Sequence, residues 1–132
     1  MRHRTAEELA AGMAAVRTAP RDAGTVEMIV RRPAVDEREV VAEGRLTPED
    51  GLVGDDWRRR GSRSTPDGSA EPDRQVTVMN SRCVDLLAGG DRSAWPLAGD
   101  QLYVDLDLSE ANLPAGTRIF YDQVAAYRLP AE

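Results

Sequence analysis

Four apolar residues at alternate positions, Leu102, Val104, Leu106 and Leu108, constrain the fold of this chain more than any other feature. Tyr103, Asp105 and Asp107 stand between them. A period of two is the mark of a half-buried strand. The leucine and valine row needs a core, and the intervening row needs water or a ligand. Gly99-Asp100 opens the stretch as a tight-turn pair. Asn112-Leu113-Pro114-Ala115-Gly116 then turns the chain toward another extended piece over 117–120.

The chain before this strand reads as short elements divided by Gly and Pro. Thr5 and Glu8 fit a capping box that starts a helix over 5–17. Leu9, Met13 and Val16 give that helix one narrow apolar stripe, so it belongs on the outside of the domain. A strand is expected over 25–31, with Val26, Met28 and Val30 on one face and Pro33 as its stop. A second is expected over 37–46, anchored by Val41, with Gly44 as a bulge. Residues 57–74 form the longest irregular segment, and loops of that length are usually functional or mobile. A strand over 75–79 leads into a short helix over 81–88, ended by Gly89-Gly90. Phe120, Val124 and Tyr127 suit a helical turn in the tail.

These elements predict a mainly β, β-rich α+β domain: a small barrel or bent sheet with an N-terminal helix and one short internal helix. The 132 residues suffice for one domain, and 41% apolar with 30% charged residues excludes disorder and membrane spans by composition. Aromatics are 5%, so Val, Leu, Met and Ala must supply most of the core. A net charge of −6 argues against a general nucleic-acid binder, which needs Lys and Arg to neutralise phosphates. Cys83 is the single cysteine, so no internal disulfide can form. The basic start Met1-Arg2-His3-Arg4 is followed by Glu7 and Glu8, where a secretory leader would be apolar. The expectation is a cytoplasmic protein.

Several residues invite chemistry and have a plainer reading beside it. Cys83 next to Arg82 could be a nucleophile, but His3 is the only histidine and sequence places no base near it; a structural thiol is favoured. Arg58, Arg59, Arg60 and Arg63 could grip an anion through their guanidinium forks. From 55 to 74, however, five arginines face five acids, so a solvated loop is the simpler reading. Asp105-x-Asp107-x-Ser109 begins like a calcium loop. Glu110 and Gly116 then occupy the positions of the turn glycine and the bidentate glutamate, so a solvated strand face is favoured. Gly51, Gly54 and Gly99 are most simply turn residues, and Trp57 either walls a pocket or plugs the barrel end, the plug being favoured.

Three segments in order carry a resemblance. They are Gly51-Leu52-Val53-Gly54-Asp55-Asp56-Trp57, Arg74-Gln75-Val76-Thr77-Val78-Met79-Asn80, and the run from Gly99 through Asp107-Leu108 to Gly116-Thr117. Together they resemble the MOSC domain, the family named after the C-terminal region of molybdenum cofactor sulfurase, in its small stand-alone bacterial form. The match spans about residues 24–119. It implies a β-barrel-like domain at 24–119, preceded by the helix at 1–20 and followed by a divergent tail at 120–132.

The resemblance also implies binding of molybdenum cofactor, a molybdopterin, or a related small anionic ligand. Gly54, Asp55, Arg58, Arg74, Gln75 and Thr77 are its candidate binding residues, with the 57–73 loop as a cover. Molybdenum ion and pyridoxal phosphate binding are associated with the family only at that level. Family members thought to carry sulfur use a cysteine beyond the segment matching Gly116-Thr117-Arg118-Ile119, and this chain has none there. The expectation is therefore no catalytic residue, no sulfur transfer by this chain alone, and a barrel short of its closing strands. An unclosed barrel leaves an open edge, through which two copies could pair. The other reading is a truncated, non-catalytic interaction module or remnant.

Overall fold

A nine-residue strand, β1 (Ala23–Arg31), organises the sheet. The computed structural model describes residues 3–121 and the backbone of 128–130. Strand β2 (Glu39–Val41) pairs antiparallel with the C-terminal end of β1. Strands β3 (Leu46–Thr47) and β4 (Gly51–Leu52) form a separate two-stranded hairpin. Strand β5 (Val78–Asn80) runs parallel to β6 (Leu102–Asp105), and β6 is antiparallel to β1, giving the order β2-β1-β6-β5. Strand β7 (Arg128–Pro130) pairs with the other end of β1, at Ala23–Thr25 in register with Pro130–Arg128.

This is a mixed α+β fold, and among the described residues no barrel closes. Closure requires the two outer strands to pair with each other. Here the outer strands β2 and β5 are three residues each and lie on opposite sides of the sheet. The parallel β5–β6 pair supplies the α component, because parallel neighbours need a crossover. That crossover consists of helix Ser81–Leu87 and the 3₁₀ helix Arg92–Ala98.

The register between β1 and β6 shifts between Val26 and Met28, which makes Glu27 the extra residue of a bulge. One extra residue sends every side chain beyond it to the opposite face. Val26, Met28 and Val30 therefore do not share a face, as strict alternation predicts. Val26 and Ile29 join one core; Met28 and Val30 join the other.

Two cores follow, one on each face of β6. Leu102, Val104 and Leu106 pack with Ile29 and Leu52 on the first. Tyr103 packs with Val30, Val84, Ala88, Ala94 and Trp95 on the second. The alternating row is thus half right. Its apolar set does face a core, but Tyr103 is wholly buried beneath the crossover instead of facing water or a ligand. Its hydroxyl donates to the Trp95 carbonyl at 2.9 Å and accepts from the Asp100 amide at 3.3 Å, which satisfies the phenol inside.

Helix α1 (Ala6–Arg17) has the expected capping box between Thr5 and Glu8. It buries no residue fully and packs against the crossover helix. Gly12 allows this approach: a Cβ there would lie 2.3 Å from Leu86 Cδ1. Arg82 then fastens the helix end. Its guanidinium bonds Asp105 of β6 at 2.8 and 3.4 Å, and the Ala15 carbonyl and Thr18 hydroxyl at 3.0 and 3.3 Å.

Other boundaries differ from expectation. The 37–46 strand shrinks to Glu39–Val41, and Leu46 belongs to the hairpin. The 75–79 strand begins at Val78, because Pro72–Arg74 forms a 3₁₀ turn that runs into Gln75. Helix α2 (Trp57–Arg60) opens the long 57–74 segment, with Trp57 buried. In the tail, Phe120 is half exposed; Val124 and Tyr127 lie outside the described residues.

Candidate functional site

Gln101 occupies the entry to β6, where the ends of β1 and β5 also meet. Its carbonyl accepts from Val30 at 2.8 Å, and its amide donates to the Thr77 carbonyl at 3.2 Å. The side chain is buried. Oε1 accepts from the Thr77 amide at 2.8 Å and the Thr77 hydroxyl at 2.6 Å, and Nε2 donates to Asp55 Oδ2 at 3.4 Å. Buried polar groups require such partners, and here one amide side chain ties two other segments, at Thr77 and Asp55, to the start of β6.

The Asp55 carboxylate is fully enclosed, at 0% exposure. It accepts from the Arg32 amide at 2.7 Å, the Trp57 amide at 3.1 Å and Arg60 Nη2 at 3.2 Å, in addition to Gln101. Every bond turns inward. The residue holds the start of α2 against the end of β1 and presents no oxygen to a ligand. Asp56 is buried beside it and its Oδ1 forms an ion pair with Arg60 Nε. Arg60 therefore neutralises two adjacent carboxylates.

Gly54 explains how the loop comes so near β1. Its φ is +91°, and a Cβ would lie 2.8 Å from Arg31 Nη1 and 2.9 Å from Arg31 Cδ. Only glycine combines that backbone angle with an arginine laid across it. Arg31 in turn pairs with Glu39 across β1 and β2.

The remaining predicted residues fall into two groups. Arg58 and Gln75 hold the hairpin turn: Arg58 reaches Asp50 at 3.4 Å, and Gln75 Nε2 donates to the Pro48 carbonyl. The Arg58 pair is largely solvated, with the arginine side chain 68% exposed, so it is weak and open to competition. Arg74 is exposed on its 3₁₀ turn, and Arg63 is exposed on the loop. Neither has a side-chain partner among the described residues. Arg59 donates to the Pro33 carbonyl.

The structure thus joins Asp55 and Thr77 through Gln101, leaves Arg58, Arg63 and Arg74 facing solvent, and commits Gln75 to the hairpin. Sequence reasoning missed Gln101 and the double role of Arg60. A polar residue immediately before an alternating strand was the available signal for Gln101. Arg60 could be suspected from its i, i+4 spacing to Asp56.

Asp100 adjoins this network, and burial pushes its carboxyl above the usual range, partly offset by a hydrogen bond from Thr77. Burial likewise pushes Tyr103 up to about 12. Asp105 is held by Arg82, while Asp107 is lowered by hydrogen bonds from the Ser109 backbone and side chain. Among the described residues no three His, Cys, Asp or Glu stand close enough to hold a metal ion. Cys83 lies in the crossover helix, its amide bonded to Asn80 Oδ1 at 2.9 Å, and it contributes nothing to the network around Gln101.

Among the described residues no helix is long and apolar enough to cross a membrane. In comparison with known proteins, no family model, no curated protein and no solved structure matches the chain.

Proposed function

We propose that this chain is a MOSC-like binding domain of the small bacterial type, working in the cytoplasm, that takes molybdenum cofactor or a related anionic ligand and transfers no sulfur by itself. The observation that supports this is the junction at Gln101. It ties Asp55 of the first resembling segment to Thr77 of the second, and itself belongs to the third. Segments that resemble one family in order also meet at one end of the sheet. A shared ligand site accounts for both facts.

The donor set fits the anionic part of such a ligand at the rim and not in the interior. Arg58 and Arg74 would hold it, since their guanidinium groups face water and match phosphate or pyrophosphate oxygens. Asp55 would shape the site from behind, because its carboxylate is already enclosed by four donors. Gln75 would fix the neighbouring turn. Bound cofactor would supply the molybdenum–dithiolene centre; this chain's residues would bind and orient it. Among the described residues no basic or acidic side chain is hydrogen-bonded to the Cys83 thiol, which supports a role as a structural thiol.

Titration with isolated molybdenum cofactor, followed by fluorescence of Trp57 at the start of α2, tests the reading. Inorganic pyrophosphate serves as the probe for the anionic part. Micromolar binding is expected, weakened about tenfold in R58A and in R74A by loss of charge-assisted bonds. Failure of both probes to bind at ~1 mM overturns the proposal. Persulfide on Cys83 together with cofactor sulfuration would overturn the absence of sulfur transfer.

A further inference from the structure

The loop over 61–71 is bonded only to itself and its flank. The Ser62 amide donates to the Gly68 carbonyl at 3.2 Å, and the Gly68 amide to the Thr65 carbonyl at 3.3 Å. The Thr65 hydroxyl donates to the Ser69 carbonyl at 2.6 Å, and Asp67 accepts from the amide and hydroxyl of Ser69 at 3.0 and 2.6 Å. Among the described residues, every hydrogen bond made by residues 61–71 finds its partner within 61–74. The anchors stand outside: Arg60 on Asp55 and Asp56 before the loop, and Gln75 on the Pro48 carbonyl after it. Opening the loop breaks its own bonds and none of the sheet's, which is the property of a locally unfolding unit.

Arg63 and Ser64 lie in this loop, and both are exposed. The Arg63 side chain has no hydrogen bond or ion pair among the described residues. The arginines just before it are committed: Arg58 to Asp50, Arg59 to the Pro33 carbonyl, and Arg60 to two carboxylates. Arg58, Arg59 and Arg60 also belong to α2, whereas Arg63 belongs to no helix or strand. An endoprotease needs a substrate segment that can straighten in its cleft, and exposed polar loop tips supply one. Proline enters only at Pro66, so the nitrogen released at Ser64 is an ordinary primary amine.

We propose that the Arg63–Ser64 bond is an endoproteolytic site, cleaved in the folded chain by a protease that reads arginine, and that the product persists as a two-piece protein. Hydrolysis adds one water: the Arg63 carbonyl carbon gains its oxygen, the bond to the Ser64 nitrogen breaks, and a carboxylate and an amine remain. The pieces stay together because the sheet is shared between them. The first holds β1 and the second holds β6, which pair from Thr25 to Ile29. Asp55 of the first meets Gln101 of the second, and Arg82 of the second holds the Ala15 carbonyl and Thr18 of the first. The proposal is independent of the ligand reading, because Arg63 is not assigned to the anion.

Limited digestion of the native chain with trypsin, read by fragment mass and by gel filtration, tests it. Within residues 3–117 the first cut is expected after Arg63, with both fragments eluting together at the position of the uncut chain and the circular dichroism spectrum retained. R63Q should fold as the parent does, since the side chain has no partner to lose. It should slow internal cleavage at least about tenfold, because the carboxylate of the protease pocket loses its guanidinium. A first cut elsewhere within 3–117 overturns the proposal, as does an R63Q chain cut as fast as the parent. Fragments that separate or unfold on cleavage overturn the two-piece product.

Discussion

Gln101 Oε1 accepts both the amide and the hydroxyl of Thr77, at 2.8 and 2.6 Å, although the two residues are 24 positions apart. Thr77 thereby enters β5 at a fixed height against β6. The opposite end of the same side chain reaches Asp55, so the loop before α2 is tied to the sheet through one amide group.

Replacing that amide exposes the dependence. Q101L leaves the Thr77 amide and one Asp55 oxygen short of a partner, and should lower stability by about 1–3 kcal/mol in urea titrations. Q101E keeps the acceptor but adds a carboxylate beside Asp55. Its deficit should shrink as pH falls and the new carboxyl protonates.

Asp100 predicts a pH dependence of definite sign. Its native carboxyl is raised by burial, so the folded state binds that proton more tightly than the unfolded state. The stability this contributes is complete below the unfolded carboxyl range and lost as pH rises through the native value. D100N removes the buried charge. It should raise Tm relative to the parent at pH 7 and lose that advantage near pH 3.

Gly54 and Gly116 have nearly equal φ values, +91° and +90°, but Gly116 has open space where its Cβ would sit. G116A therefore reports backbone strain alone, about 1–3 kcal/mol. G54A should be more destabilising, because the new methyl meets Arg31. Repeating both substitutions in an R31A background should bring them together.

Arg82 joins three elements, and R82M should free the end of α1 more than it unfolds the sheet. A loss of about 1–2 kcal/mol is expected for partly exposed charge-assisted bonds. Hydrogen exchange should speed up along Ala6–Arg17 while β1 and β6 retain their protection.

Local signals made much of the fold legible. Thr5 and Glu8 place the start of α1 because a capping box is contained within four residues. The apolar row of β6 identifies a core strand because alternation needs no partner to be read. Residues 81–87 form the expected short helix for similar reasons. The candidate site was less legible. Asp55 and Thr77 were singled out, but their link runs through Gln101, whose importance depends on long-range pairing. Arg58 and Arg74 suggested an anion, and only their exposure distinguishes them from Arg60, which is committed to Asp55 and Asp56.

By itself the sequence determined periodicity, caps, charge and the order of its short elements, all properties of neighbouring residues. Tertiary structure decided which faces those elements turn. Glu27 bulges only because β1 must pair with β6, and that one inserted residue separates Val26 from Met28 and Val30. Tyr103 is a core residue only because the parallel crossover lies over it. Barrel closure was likewise a matter of which strand ends meet, and the described strands leave β2 and β5 on opposite sides of the sheet.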